Sequence, residues 1–452
     1  MYKSIILNSD SYKYSMPFQY PEGTEYVYSY IESRGGLWDE TVFFGLQAFI
    51  KEYLLEPITK EDIDIAEEII TQHGEPFYRE GWEYILKEYD GYLPVVIKAV
   101  PEGTVVPVKN VLATIENTDP KCWWLTTFLE TSLLRAIWYP TTVATNSWMS
   151  KKIIKYWMNK NGGCNSVDFK LHDFGARGVS SLESSAIGGA AHLINFMGTD
   201  NINGLLFARD YYNAGVAGYS VSAMEHSTVT SWGKENEYES YRNMIKLNKG
   251  KTISIVSDSY NIFEACKAFG TVLKQDIIDN NVNLVIRPDS GKPSKIVEQC
   301  LKIVDEYFGH TVNSKGFKVL NNVKILQGDG IDHDSIDEIL YFADASGYSS
   351  DNILFGQGGA LLQQVNRDTL KFAMKCSAIC VNGKWRDVFK DPITDSGKSS
   401  KKGRVTLYKD NQGMYQSGVE DWPKSELITI FIDGKLLVDQ SFDQIRYRSN
   451  VH

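Results

Sequence analysis

The chain has 452 residues, of which 43% are hydrophobic, and a formal net charge of −10, enough for a large barrel with additions or for two to three domains around a well-buried core. The acidic balance speaks against a nucleic-acid or general membrane-binding surface, so an anionic ligand would need a focused basic pocket. No apolar run reaches transmembrane length and residues 1–10 turn polar too early for a secretory leader, which makes the cytoplasm the expected location.

In chain order, residues 26–31, 95–100 and 112–115 are β-prone runs bounded by Pro and Gly turns. Residues 123–137 read as a helix leading towards a barrel, with Tyr139-Pro140 as its break. From about 169 to 372, strand-like and helix-like segments alternate. Strand ends fall near His172, Met197, Val221, Val256, Ile286, Gln327 and Phe355, a spacing that suits βα units. Ser180-x-x-Glu183 has the form of a capping box before residues 186–194. Pro293-Ser294 opens a helix with Ile296, Val297, Cys300, Leu301 and Val304 on one stripe. Residues 404–407 and 427–432 are again β-prone, and the latter run ends at Asp433-Gly434 as a hairpin would. Residues 398–404 form a polar, basic loop. The expected fold is α/β: an irregular (β/α) barrel of about seven parallel strands plus a β-rich domain formed from both chain termini. The expected divisions are 1–138, 139–378 and 379–452. Six cysteines show no CxxC pair and no Cys/His spacing for zinc, so reduced, mostly buried thiols are expected.

Four buried-strand runs end abruptly in polar turns: 284–286 in Arg287-Pro288-Asp289-Ser290-Gly291, 253–256 in Ser257-Asp258-Ser259, 323–327 in Gly328-Asp329-Gly330, and 353–355 in Gly356-Gln357-Gly358-Gly359. Ligands of parallel α/β folds gather at such strand ends. Arg177, Arg287 and Arg367 sit in glycine-rich or turn contexts, where arginine forks and backbone N–H groups suit phosphate oxygens. Asp173, Asp200, Asp258, Asp289 and Asp329 sit at the same ends, and a mix of cations and carboxylates suits a sugar phosphate accompanied by a divalent ion. Surface ion pairs for the arginines and helix capping for Asp258 are the plainer alternatives. His226 and His172 lie at strand ends beside carboxylates and could do acid–base or nucleophilic work, or could be satisfied core histidines. Phe174, before Gly175, could stack on a flat ring or simply pack. No P-loop and no strand-linked GxGxxG occurs.

These residues, in this order, resemble the nicotinamide phosphoribosyltransferases, a branch of the type II phosphoribosyltransferases. The likeness runs through Asp10-Ser11-Tyr12-Lys13, Phe43-Phe44-Gly45-Leu46-Gln47, Val100-Pro101-Glu102-Gly103, Leu171-His172-Asp173-Phe174-Gly175, Gly198-Thr199-Asp200, Glu225-His226-Ser227, Arg287-Pro288-Asp289-Ser290-Gly291, Gln327-Gly328-Asp329-Gly330, Gly356-Gln357-Gly358-Gly359 and Phe389-Lys390-Asp391-Pro392. The resemblance implies that nicotinamide condenses with 5-phosphoribosyl-1-pyrophosphate to give nicotinamide mononucleotide and pyrophosphate, with Mg²⁺. It implies catalytic roles for His226, Asp289 and Arg287, with ATP phosphorylating His226 to drive the equilibrium. Arg177 and Lys390 would hold pyrophosphate or phosphate. Arg287, Asp289, Gly328 and Asp329 would hold the ribose and its phosphates. Gly358, Gly359 and Arg367 would line the 5′-phosphate site. Phe174 and Tyr12 of a second subunit would sandwich the pyridine ring, so a homodimer is implied, and Asp200 would select the amide. Ala176, Asn261 and Ala373 depart from residues frequent in that family and bear on ring-edge and phosphate contacts. A nicotinate phosphoribosyltransferase, or a non-catalytic binding or signalling protein on the same fold, are the competing readings.

Overall fold

The computed structural model describes residues 3–163, 166–394, 400–419 and 424–450; Cys164 and, in the basic loop, Lys398 and Ser399 lie outside them. Two compact units emerge. One comprises residues 146–209 and 215–364; the other comprises the described residues up to 145, together with 210–214 and 365–450.

In the first unit, apolar runs that are buried on both faces become short parallel strands, because only a sheet covered on both sides shields them. The order across the sheet is Gly198–Thr199, Leu171–Asp173, Ile353–Gln357, Val323–Gln327, Asn283–Arg287, Thr252–Val256, Ser222–Ala223, and every neighbouring pair is parallel. A parallel bridge from Gly198 to Tyr219, just ahead of Ser222–Ala223, draws one edge of the curled sheet towards the other. The seven expected strands are present, each ending within about two residues of its expected place. Crossover helices follow them. Pro293–Phe308 buries Val297, Cys300, Leu301 and Val304, as its stripe predicts. These join Phe269, Ile286, Ile325 and Phe355 in one apolar core.

The second unit holds a seven-stranded sheet in the order Lys384–Asp387, Phe372–Val381, Thr24–Ser33, Val111–Asn117, Val95–Ala99, Ile428–Ile432, Lys435–Leu436. Its pairings are antiparallel, and strands from both flanks of the chain share it, as expected. Asp433 and Gly434 take φ of 46° and 79°, the left-handed pair that closes a two-residue hairpin. Val405–Lys409 stays out of this sheet. It pairs with Tyr415–Val419 as a separate hairpin, whose Val405 carbonyl accepts the Tyr28 hydroxyl at 2.8 Å.

Two local expectations fail. Pro140 does not break the helix, which runs from Glu130 to Asn161 with the proline inside. The chain at Phe44-Gly45 lies against this turn, where Thr141 Oγ1 donates to the Phe44 carbonyl at 3.1 Å and a Cβ on Gly45 would come within 2.7 Å of the Ala136 carbonyl oxygen. Tertiary contacts thus cover the turn that proline weakens. At the helix Leu182–Leu193 the cap is Ser181, which accepts from Ser184 N–H, rather than Ser180 with Glu183.

Candidate active site at the strand ends

In the barrel unit the strand ends converge on one polar cluster. Arg287 is the last residue of Asn283–Arg287 and donates from Nη2 to the Met224 carbonyl at 2.7 Å. Its Nε is buried without a hydrogen-bond partner among the described residues. Two residues on, the Asp289 N–H donates to Asp258 Oδ2 at 3.0 Å. Asp258 is therefore no helix cap; Asn261 caps Ile262–Gly270 instead. His226 opens the short helix His226–Thr230. Its Nδ1 lies 3.1 Å from Ser259 Oγ, and its Nε2 faces Asp258 Oδ1 at 3.6 Å and Asp289 Oδ2 at 3.5 Å. Glu225, the carboxylate next to it in the chain, is engaged with the Ser227 hydroxyl. The ring is held from the neighbouring strand ends instead.

Phe174 follows Leu171–Asp173, and its N–H donates to the Gln357 carbonyl at 2.9 Å. A Cβ on Gly356 would meet the Phe174 ring at 2.1 Å, and one on Gly328 would meet it at 3.2 Å. These two strand-end glycines thus make room for the half-buried ring. Gly175 and Gly178 lie against Gly358 and Gly359, leaving bare backbone on two adjoining loops beside exposed Arg177. Asp173, fully buried, accepts from Gly175 N–H at 2.7 Å and from Asn201 Nδ2 at 2.9 Å, and so orients the turn that carries Phe174. Asp200 is exposed and accepts a 2.6 Å hydrogen bond from Ser220. Asp329 is exposed beyond Gly328. The sheet also encloses a cavity of about 510 Å³ walled by His172, Ser254, Val285, Lys324 and Leu354, on which neither Arg287 nor Asp289 borders.

The charges in the cluster are mutually dependent. Burial lowers the Arg287 guanidinium from its usual range; Asp289, Asp200 and Asp258 oppose this, and the positive charge of Arg177 adds to it. Burial pushes the Asp289 carboxyl up, with Arg287 and His226 pulling it back down and Asp258 pushing further. Burial also raises Asp173, to about 6, against the hydrogen bonds from Gly175 and Asn201. Arg287, Asp258 and Asp289 are partly buried beside His226 while Arg177 and Asp200 are exposed, a mixed-charge field suited to a sugar phosphate.

Tyr12, Arg367 and Lys390 belong to the other unit, where all three are exposed. A basic cluster missed in the sequence lies there too. Burial lowers the Lys375 ammonium, and after the opposing charge of Glu130 the next influences on it are the cations Arg34, Lys13 and Arg367. Lys13 is buried in an ion pair with Glu130 at 2.5 Å. The Arg34 side chain pairs with Glu32 at 3.7 Å, while its Nε finds no hydrogen-bond acceptor among the described residues. The one sequence signal was a lysine inside the apolar run Phe372–Val381.

Residues 169–426 match the Nicotinate phosphoribosyltransferase (NAPRTase) family, and residues 4–97 match the Nicotinamide phosphoribosyltransferase, N-terminal domain. A nicotinamide phosphoribosyltransferase of Xanthomonas campestris pv. campestris (strain 8004) is 51% identical over 98% of this chain and 97% of its own. The chain belongs to the nicotinamide phosphoribosyltransferases of this family. A second nicotinamide phosphoribosyltransferase, from Acinetobacter baylyi, is 35% identical over 97% of this chain and 95% of its own. Among solved structures, the nicotinate-nucleotide pyrophosphorylase of Pyrococcus furiosus shares the fold with a TM-score of 0.63 at 16% identity, covering 98% of this chain and 94% of that one. Human nicotinic acid phosphoribosyltransferase does so with a TM-score of 0.59 at 15% identity, covering 98% and 92%. The strand-end cluster described above is thus the candidate active site of a nicotinamide phosphoribosyltransferase.

Proposed function

We infer that this protein transfers the 5-phosphoribosyl group from 5-phosphoribosyl-1-pyrophosphate to nicotinamide, giving nicotinamide mononucleotide and pyrophosphate. The observation that carries the reading is the strand-end field of Arg177, Arg287, Asp289 and His226, found in a chain 51% identical to a nicotinamide phosphoribosyltransferase. Displacement at an anomeric carbon passes through an oxocarbenium-like state, so the protein's task is to hold both partners in line and stabilise the departing pyrophosphate. Arg287, Asp289, Gly328 and Asp329 are assigned to the ribose and its phosphates, and Arg177 and Lys390 to pyrophosphate or phosphate. Gly358, Gly359 and Arg367 are assigned to the 5′-phosphate, Phe174 to the face of the pyridine ring and Asp200 to its amide.

Mg²⁺ fits as a companion of the pyrophosphate. It keeps waters and phosphate oxygens in preference to a full protein cage, and among the described residues no group of three or more His, Cys, Asp or Glu is arranged to hold a metal. ATP is proposed to phosphorylate His226, supported by two carboxylates facing one ring nitrogen and a serine hydroxyl at the other. A homodimer in which Tyr12 of each chain reaches the ring pocket of the second copy completes the proposal. A cytoplasmic setting is consistent with free cysteines at 122, 266, 300, 376 and 380 and with the absence, among the described residues, of any helix long and apolar enough to cross a membrane.

The deciding experiment is product analysis of the purified protein with phosphoribosyl pyrophosphate, Mg²⁺ and either nicotinamide or nicotinate. Nicotinamide mononucleotide should dominate. Equal or greater use of nicotinate would make it a nicotinate phosphoribosyltransferase, and no product from either base would favour the non-catalytic reading. Incubation with labelled ATP should place an acid-labile, base-stable phosphate on the parent and none on His226→Ala.

A further inference from the structure

The two sides of the proposed ring pocket hang on one buried amide. Asn201 is fully buried and lies two residues beyond Gly198–Thr199, the strand that pairs with Leu171–Asp173. Its Nδ2 donates to Asp173 Oδ2 and to the Ser185 carbonyl, both at 2.9 Å. Its Oδ1 accepts from the Ser185 hydroxyl at 3.0 Å and from the Gly204 N–H at 3.4 Å. A carbonyl can only accept and a backbone N–H can only donate, so the amide cannot be turned round without setting like against like. As it stands, all four of its hydrogen-bonding capacities are filled. The Asn201 N–H goes to Thr199 Oγ1 at 3.0 Å. The space around the amide is equally committed: a Cβ on Gly189, in the helix Leu182–Leu193, would come within 2.5 Å of Nδ2.

Two turns meet at this amide. Phe174 directly follows Asp173, whose other carboxylate oxygen accepts from the Gly175 N–H at 2.7 Å. The carboxylate thus bridges Asn201 to the turn that carries the ring. Asp200 directly precedes Asn201, and its N–H donates to the Asp173 carbonyl at 3.0 Å. Its backbone is therefore fixed on one side by Thr199, the strand partner of Asp173, and on the other by Asn201, bonded to the Asp173 side chain. Helix capping would need only the Gly204 contact, which is the longest of the four.

We propose that Asn201 is a positioning residue which, through Asp173, locks the Phe174 turn and the Asp200 turn into one frame and so sets both the face and the amide edge of the base pocket. A carboxylate–amide bond inside a filled, buried network is rigid, because any movement leaves a polar group unpaired. The consequence for base recognition rests on the assignment of Phe174 and Asp200 to nicotinamide; the tie between the two turns does not.

The test is a double-mutant cycle in the full-length protein carrying 4-fluorophenylalanine at position 174, measured at a pH well above the value of about 6 to which the Asp173 carboxyl is raised. Asn201→Asp sets a carboxylate against the Asp173 carboxylate. Asp173→Asn, whose oxygen must still accept from the Gly175 N–H, sets an NH₂ against the Asn201 NH₂. The double variant again has a donor facing an acceptor and leaves only the Ser185 carbonyl without its partner. Each single variant should shift or broaden the fluorine resonance and raise KM for nicotinamide about tenfold, with KM for phosphoribosyl pyrophosphate changing less. The double variant should recover most of both. A merely structural role would lower stability in all three without moving the fluorine signal. Should a single variant not fold, Asn201→Ser, which loses the Asp173 bond without opposing charges, takes its place. Single-variant resonances superimposable on that of the parent, or effects that simply add in the double variant, would overturn the proposal. If the resonance follows the cycle and KM for nicotinamide does not, the lock stands and the assignment of Phe174 to the base falls.

Discussion

In the proposed role of Asp200, one exposed carboxylate would choose between two nearly identical substrates. It can accept a hydrogen bond from a carboxamide N–H, whereas a carboxylate in the same place would meet a like charge, and such contacts discriminate strongly once water is excluded. Ser220 holds one of its oxygens at 2.6 Å, and in the proposed role the other would meet the amide. Asp200→Ser should therefore weaken nicotinamide use and narrow the gap to nicotinate by about tenfold or more; a preference ratio equal to that of the parent would exonerate Asp200. Asp173 acts on stability. Its carboxyl is raised from 3.8 to about 6, by burial first, so between these values the folded chain holds a proton that the unfolded chain has lost. Its contribution is full at the acid end and disappears as pH rises through about 6, a swing of roughly 3 kcal/mol. Urea unfolding of Asp173→Asn at pH 4 and pH 7 should show that part of the slope removed.

At the scale of elements, glycines decide where helices and strand ends can approach. Gly45 has a φ of 109°, and a Cβ there would meet Pro140 Cγ at 2.3 Å. Both the backbone and the space exclude a side chain, so Gly45→Ala should cost roughly 2–4 kcal/mol in chemical unfolding. The long helix would lose the contact that covers its proline. Gly356 sits under the Phe174 ring, with only 2.1 Å available to a Cβ. Gly356→Ala should displace the ring and raise KM for nicotinamide by about tenfold or more, with a smaller effect on phosphoribosyl pyrophosphate. An unchanged KM would return Phe174 to a packing role.

For the molecule as a whole, the acidic chain groups cations in two places among the described residues: Arg177 with Arg287 at the barrel strand ends, and Lys13, Arg34, Lys375 and Arg367 in the β-rich unit. A closed two-fold dimer would present each group twice. If Tyr12 serves the second copy's ring pocket, then mixing inactive Tyr12→Ala with inactive Arg287→Ala should recover up to about a quarter of the parent activity through heterodimers with one intact site. A mixture that stays inactive despite proven subunit exchange would place each complete site within a single chain.

The sequence by itself determined the parallel strands and the turns that end them, because a buried strand needs a continuous apolar run and the polar residue that stops it sits next to it in the chain. Arg287 and Asp289 were legible for that reason; His226, after the exposed strand Ser222–Ala223, and Phe174 stood out by their neighbours in the chain, and the β-rich domain shared by the two flanks by its β-prone runs. Tertiary structure decided what depends on contacts distant in sequence. Pro140 stays inside a helix because Phe44-Gly45 lies against it. His226 is held by Ser259, Asp258 and Asp289 from the ends of two other strands, and not by its neighbour Glu225. Arg34 and Lys375, 341 positions apart by their numbering, come within electrostatic influence of one another through the pairing of Thr24–Ser33 with Phe372–Val381. No local pattern records such a meeting, since the sheet register that creates it is set by the packing of the whole unit.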